Sequence, residues 1–246
     1  MIVLAHVSDT HLDGSERNTE RAARVMTYLN DLPRPVDAVL VTGDIADHGA
    51  PAEYEQARKL LSSPHPVFTC PGNHDVRDAY RTVLLEQGGG AAPINQVRQA
   101  AGAVFALCDS TVPGRDDGFL ADDTVAWLAD VLDSTSADTP VFVCFHHPPV
   151  LLHSPFIDKL RQRGAQRLAQ LVASHPQVVA VLCGHAHTPA ATTFAGRPLL
   201  VAPGVASTLK LPWEHGEDLD YRLPPAIAFH VLDDQQRLTT HYRVIT

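Results

Sequence analysis

Apolar residues along the chain fall into short runs, separated by longer stretches in which they recur every three or four positions. Runs of β character cover residues 2–7, 38–42, 66–70, 104–108, 141–145 and 178–183. Between them, residues 20–32, 52–61, 122–132 and 158–173 carry helical spacing. In the third of these, Val125, Leu128, Ala129 and Leu132 form an amphipathic stripe. Pro51 sits at a first-turn position, where its missing N–H costs nothing. Strands alternating with helices predict sheets covered by helices. The last third reads differently. Residues 192–196, 198–202, 226–232 and 238–245 look like strands with short links, residues 233–237 like a hairpin turn, and together they predict antiparallel strands completing a second sheet. Residues 88–93 and 211–225 look irregular, and no repeat or linker divides the chain, so one domain over 1–246 is expected.

Five polar motifs sit just after five of the predicted strands: Asp9-Thr10-His11, Gly43-Asp44-Ile45-Ala46-Asp47, Gly72-Asn73-His74-Asp75, His146-His147-Pro148-Pro149 and Gly184-His185-Ala186-His187. Taken singly, each reads more readily as a turn or a hydrogen-bonded structural residue, since Asp and Gly dominate turns. Their shared position changes that reading. Loops at the carboxyl ends of strands converge from distant parts of the chain, so five such clusters predict one pocket.

Composition narrows the chemistry. Hydrophobic residues make up 45% and charged residues 19%, enough apolar material for a sizeable core. The net charge of −9, with no run of Lys and Arg, argues against nucleic acid and anionic membranes as partners. No 18-residue apolar stretch is present to span a bilayer, and the N-terminus lacks the basic region of a signal peptide. Cys70, Cys108, Cys144 and Cys183 each close an apolar run without C-x-x-C spacing, which predicts buried thiols in a reducing, cytoplasmic setting. The 14 histidines ask for a chemical reason.

These motifs, in this order, resemble those of the calcineurin-like metallophosphoesterases, whose pattern is D-x-H, G-D-x-x-D, G-N-H-[DE], a later His, and G-H-x-H. Within that family, Ser8-Asp9-Thr10-His11, Glu53-Tyr54 after the second motif, Pro71-Gly72-Asn73-His74-Asp75 and His146-His147-Pro148-Pro149 are similar to bacterial class III cyclic nucleotide phosphodiesterases and their glycerophosphodiesterase relatives. The resemblance implies a layered α/β/β/α sandwich, two mixed sheets flanked by helices, with a dinuclear metal site at the strand carboxyl ends. It implies that Asp9, His11, Asp44 and His187 hold one ion and Asp44, Asn73, His146 and His185 the other, with Asp44 bridging. Mixed imidazole and carboxylate donors suit two divalent or mixed-valence transition ions (Mn, Fe, Zn or Co) rather than Mg or Ca. Such a pair, roughly 3.5–4 Å apart, would activate a bridging hydroxide for attack on phosphorus. His74 would meet the phosphate with Asn73 and assist the leaving oxygen, Asp47 would orient His74, and His147 and Asp75 would support the site.

Two divalent ions, two carboxylates, a hydroxide and a diester monoanion sum to about zero charge, whereas a monoester dianion leaves surplus negative charge. The family's Ser/Thr phosphatases carry an Arg directly after the second Asp of G-D-x-x-D; here that position is His48. Losing a bidentate phosphate clamp weakens dianion binding unless Arg77, Arg81 or a trivalent iron compensates. The expectation is hydrolysis of small phosphodiesters, 3′,5′-cyclic nucleotides first and glycerophosphodiesters second. Residues 211–225, with Trp213, His215 and Tyr221, either overhang the site and read the alcohol or base, or form a surface loop or a subunit contact in a homo-oligomer. A nuclease would need a basic groove, and a metal-free interaction scaffold would have lost ligands; neither fits this sequence.

Overall fold

A computed structural model describes residues 1–246. In chain order its elements are β1 (Ile2–Val7), α1 (Glu16–Asn30), β2 (Ala38–Thr42), α2 (Pro51–Leu60), β3 (Val67–Cys70), α3 (Arg77–Ala79, running into a π-helical turn at Tyr80–Leu84), β4 (Gln96–Ala100), β5 (Ala103–Leu107), α4 (Asp122–Ser134), β6 (Val141–Cys144), α5 (Ala165–Ser174), β7 (Val178–Cys183), β8 (Ala190–Phe194), β9 (Arg197–Val201), β10 (Thr208–Leu209), β11 (Leu219–Asp220), β12 (Ala226–Leu232) and β13 (Leu238–Val244). One sheet has the order β13-β12-β1-β2-β3, the other β4-β5-β6-β7-β9-β8, and β10 and β11 form a short ribbon. Strands β1, β2 and β3 run parallel, as do β5, β6, β7 and β9; the outer strands β12, β13, β4 and β8 are antiparallel to their neighbours.

The alternation of side chains along each strand explains the layering. On one face of the first sheet, Leu4, Leu40 and Phe68 meet Phe105, Phe142 and Leu182 of the second in a shared core. Phe105 stacks on Phe142 with ring centres 5.2 Å apart. On the outer face, Ala5, Val7, Val39 and Val41 pack under Val25, Met26 and Leu29 of α1 and Tyr54 of α2. Beyond the second sheet, Val143 and Val181 pack under Leu128 and Leu132 of α4 and Leu168 and Val172 of α5. The result is an α/β/β/α sandwich. Its central strands are apolar on both faces because both faces are covered, and all four cysteines are free and buried. No helix is long and apolar enough to cross a membrane.

Several elements differ from the sequence reading. The antiparallel tail does not complete one sheet: β8 and β9 extend the second sheet, while β12 and β13 extend the first. The helix expected at 158–173 starts only at Ala165, after a 3₁₀ turn at Ile157–Lys159. Gly164 is left-handed at φ +63°, and the Gln162 and Arg163 N–H groups donate to Pro148 O (3.0 Å) and Gly118 O (2.7 Å) instead of to a helix. Helix α1 begins four residues early, where the Ser15 side chain accepts from Asn18 N. Strand β4 was not foreseen, because Gln96–Ala100 is a largely polar, exposed edge without alternation.

Candidate metal centre

All five motifs leave the carboxyl ends of β1, β2, β3, β6 and β7. The first three belong to one sheet and the last two to the other, so the site straddles the seam between them. Backbone bonds register the loops against one another: Asp9 N donates to Gly43 O (3.1 Å), His11 N to Asp44 O (2.9 Å), Gly184 N to His146 O (3.0 Å) and Ala206 N to Asp9 O (2.9 Å). Gly72 and Gly184 are required by crowding. A Cβ on Gly72 would run into the Asp44 carboxylate, and one on Gly184 would run into Ser8 Oγ and Thr42 O. Asp9, His11, Asp44, His185 and His187 all have positive φ, between 42° and 69°. Left-handed non-glycine residues are strained by about 1–3 kcal/mol each, and such strain collects at functional sites.

Seven residues singled out in the sequence come together. His11 Nε2 lies 3.1 Å from His187 Nε2 and 3.5 Å from Asp44 Oδ2. His187 Nε2 lies 3.5 Å from Asp9 Oδ1. His146 Nε2 lies 3.2 Å from both Asp44 Oδ2 and His185 Nδ1, and 3.9 Å from Asp9 Oδ1. Donor atoms of Asp9, His11 and His187, and separately of Asp9, Asp44 and His146, lie within 4.8 Å of one another. Asn73 borders the same cavity, and its Oδ1 is buried with no hydrogen-bond partner.

This cluster fits cations. His146 Nδ1 is 2.6 Å from Thr42 O and must donate to it, so the neutral ring turns a lone pair at Nε2 toward two carboxylates. Only a positive charge between them relieves that repulsion. In a metal-free chain a proton serves: burial opposes the charged ring, but the Asp44 and Asp9 carboxylates outweigh it and push His146 up to about 9. Asp44 responds in kind, held well below the usual carboxylate range by His146 and His11 despite its burial. Burial pushes His185 and His187 down, so both stay neutral and keep lone pairs for a metal. Carboxylate oxygen and imidazole nitrogen gathered in this way are the donor chemistry of a metal site.

Supporting contacts depart in one respect from expectation. The Asp47 carboxylate accepts from His11 Nδ1 at 2.8 Å, whereas His74 Nδ1 donates to the Asp47 main-chain carbonyl at 2.7 Å and lies 3.6 Å from the carboxylate. Asp47 therefore orients His11 with its side chain and His74 with its backbone. His74 N donates to Asp44 Oδ1 at 2.9 Å. Asp75 accepts from Ile45 N, Ala46 N, Gly72 N and Tyr54 Oη, tying the loops after β2 and β3 together; burial and Asp44 push it up to about 6. The fully buried His147 lies beside Ser110, with Nδ1 2.8 Å from its Oγ. His48 points to Glu53 (2.8 Å).

Three supports escaped the sequence reading. Asn18 Nδ2 donates to His11 O (2.8 Å), Ser207 Oγ lies 2.7 Å from His187 Nδ1, and Arg17 borders the cavity. The one available signal was Asn18, a polar residue on the face of α1 that also carries Ala22, Val25 and Leu29. Above the cluster opens a cavity of about 630 Å³, also lined by Asp13, Asp116, Phe156, Leu219 and Tyr221.

Comparison with known proteins agrees with this geometry. The family model described as calcineurin-like phosphoesterase matches residues 2–189, which include all five motifs. A glycerophosphodiester phosphodiesterase from Enterobacter lignolyticus is 31% identical over 93% of this chain and 86% of its own length. A 3′,5′-cyclic adenosine monophosphate phosphodiesterase from Pseudomonas aeruginosa is also 31% identical, over 97% and 88%. A dimetal phosphatase from Danio rerio shares the fold at a TM-score of 0.75 and 14% identity, covering 100% of this chain and 96% of that one. A two-sheet sandwich with this donor cluster at its strand ends, matched along most of its length, belongs to the calcineurin-like phosphoesterases.

Proposed function

We propose that this protein is a metal-dependent phosphodiesterase acting on small phosphodiesters, with 3′,5′-cyclic nucleotides as its substrates. In this reading Asp9, His11, Asp44 and His187 hold one ion, Asp44, Asn73, His146 and His185 hold the other, and Asp44 is shared. When bound, the pair supplies Lewis acidity toward the phosphoryl oxygens and lowers the pKa of water so that a nucleophile exists at neutral pH. Asn73, whose buried Oδ1 has no hydrogen-bond partner, would offer that oxygen to the cation and leave its amide N–H groups for a phosphate oxygen. His74, with Nδ1 tied to the Asp47 carbonyl, keeps Nε2 for the substrate. When the ring is protonated, that atom is the source of the proton taken by the leaving oxygen.

One observation carries the preference for a diester. Among the residues lining the cavity the only arginine is Arg17, and its guanidinium already donates to Asn18 Oδ1, Ala206 O and Tyr221 O (each 2.6 Å). Arg77 pairs with Asp109 (2.8 Å), and Arg81 donates to Ala92 O and Pro93 O, so neither compensates. No side-chain clamp remains for the second charge of a monoester. The relatives from Mycobacterium tuberculosis and Pseudomonas aeruginosa, named as cyclic nucleotide phosphodiesterases, support this substrate, and the Enterobacter relative supports glycerophosphodiesters as the second reading. Manganese-loaded protein assayed side by side on cyclic AMP, cyclic GMP, glycerophosphocholine and glycerophosphoethanolamine tests the choice. Higher kcat/KM on the cyclic nucleotides is expected, and preference for the glycerol esters would select the second reading. Turnover of aryl monoesters equal to aryl diesters would overturn both.

A further inference from the structure

The metal centre accounts for only part of the cavity. Phe156, Leu160, Leu219 and Tyr221 also line it without belonging to that donor set, and a volume of about 630 Å³ suits a ligand much larger than phosphate. Tyr221 is 52% exposed there and Phe156 45%, large aromatic areas left open beside a polar site.

Tyr221 is held in place. The Arg17 guanidinium lies over its ring, 5.1 Å from the centre, and donates to the Tyr221 and Ala206 carbonyls. The same side chain donates to Asn18, which in turn donates to His11 O. Ser207, next to Ala206, meets His187. The aromatic ring is thus registered to the two histidine loops of the metal centre, and a ligand stacking on it would not have to order it first.

We propose that Tyr221, braced by Arg17, is the stacking platform for the planar base of the substrate and is a specificity-determining residue. This rests on the cyclic nucleotide reading above. The face of the ring covered by the guanidinium is taken, and the cation draws on the π-density that a second cation would need. The open face is therefore a poor seat for an ammonium headgroup and a good one for an uncharged heteroaromatic ring, which stacks through its area. Asp13 and Asp116 on the cavity wall are acceptors for N–H groups on a base edge. An ammonium headgroup would engage only those acids, whereas a purine engages acids and platform together.

Adenosine, which has no phosphodiester to cleave, separates this proposal from the substrate reading. Its equilibrium binding to manganese-loaded wild-type protein should weaken about tenfold in Tyr221→Ala and be retained in Tyr221→Phe, a pair that also controls for folding. In parallel, Tyr221→Ala should raise KM for cyclic AMP by a similar factor with kcat little changed, and leave glycerophosphoethanolamine unmoved. Equal adenosine binding by wild type and Tyr221→Ala, or equal loss on both substrates, would overturn the platform. Adenosine binding that depends on Tyr221, in a protein that does not hydrolyse cyclic AMP, would support the platform while removing the substrate assignment.

Discussion

At the scale of single residues, His146 shows how the site is programmed. Its Nδ1 proton goes to Thr42 O, which aims Nε2 at two carboxylates and leaves a cation as the only stable neighbour. Asp44, the ligand shared by both ions in the proposed assignment, should behave differently from ligands of one ion. Asp44→Ala is expected to lose both ions and Asn73→Ala to weaken one preferentially, as read by metal analysis of dialysed protein; two full equivalents in Asp44→Ala would refute the assignment. His74→Ala should retain both metals while kcat falls by about 10²–10⁴. Asp47 gives a sharper test, because its carboxylate bonds to His11 rather than to His74. Asp47→Ala should therefore weaken metal affinity by about 10–100-fold, the usual cost of losing a carboxylate behind a ligand histidine. An unchanged affinity with reduced turnover would restore the role at His74 expected from sequence. The donor residues were legible because each follows a strand. Ser207 was not, since an isolated Ser carries no spacing that marks it; Asn18 could be read only through the helix face it shares with Ala22, Val25 and Leu29, and the choice of Asp47 between two imidazoles depends on how loops cross.

At the scale of elements, the helices that reveal least in their pattern have the most consequence for the cavity. Helix α1 starts at Glu16 because Ser15 caps it, and this early start puts Arg17 and Asn18 against the site. Ser15→Ala should cost about 1 kcal/mol of stability in urea unfolding; no measurable loss would remove the cap from the account. The apolar spacing alone predicts this helix only over 20–32, because the hydrophobic stripe begins at Ala22. It runs the fourth predicted helix through Gly164 for the converse reason: the apolar spacing continues across a backbone that turns left-handed. The parallel strands were read almost to the residue, since burial on both faces leaves an unbroken apolar run.

At the scale of the whole molecule, buried histidines outside the site give the protein an acid limit. His6 Nδ1 lies 3.0 Å from His230 Nε2, and both rings are buried between strands β1 and β12. Burial pushes His230 down to about 3 and also lowers His6. The unfolded chain takes up these protons near pH 6.5 while the folded chain refuses them, so stability is full above that pH and falls as pH drops toward 3. His230 contributes a slope of up to about 1.4 kcal/mol per pH unit within that window, and His6 acts in the same direction. Thermal unfolding of wild type and His230→Phe across pH 7.5 to 4.5 checks this, and the wild type should lose Tm more steeply. Parallel curves would sink the idea.

The seam between the two sheets carries a mechanical consequence. Asp9, His11, Asp44 and Asn73 hang from one sheet, and His146, His185 and His187 from the other. A cation gripped by both groups would act as a rivet, resisting sideways slip of one sheet over the other beyond the edge of their shared core. Chelation should then lower Tm and widen the transition as the halves part company, and the tightness of this sandwich becomes a property the cell sets through its metal supply.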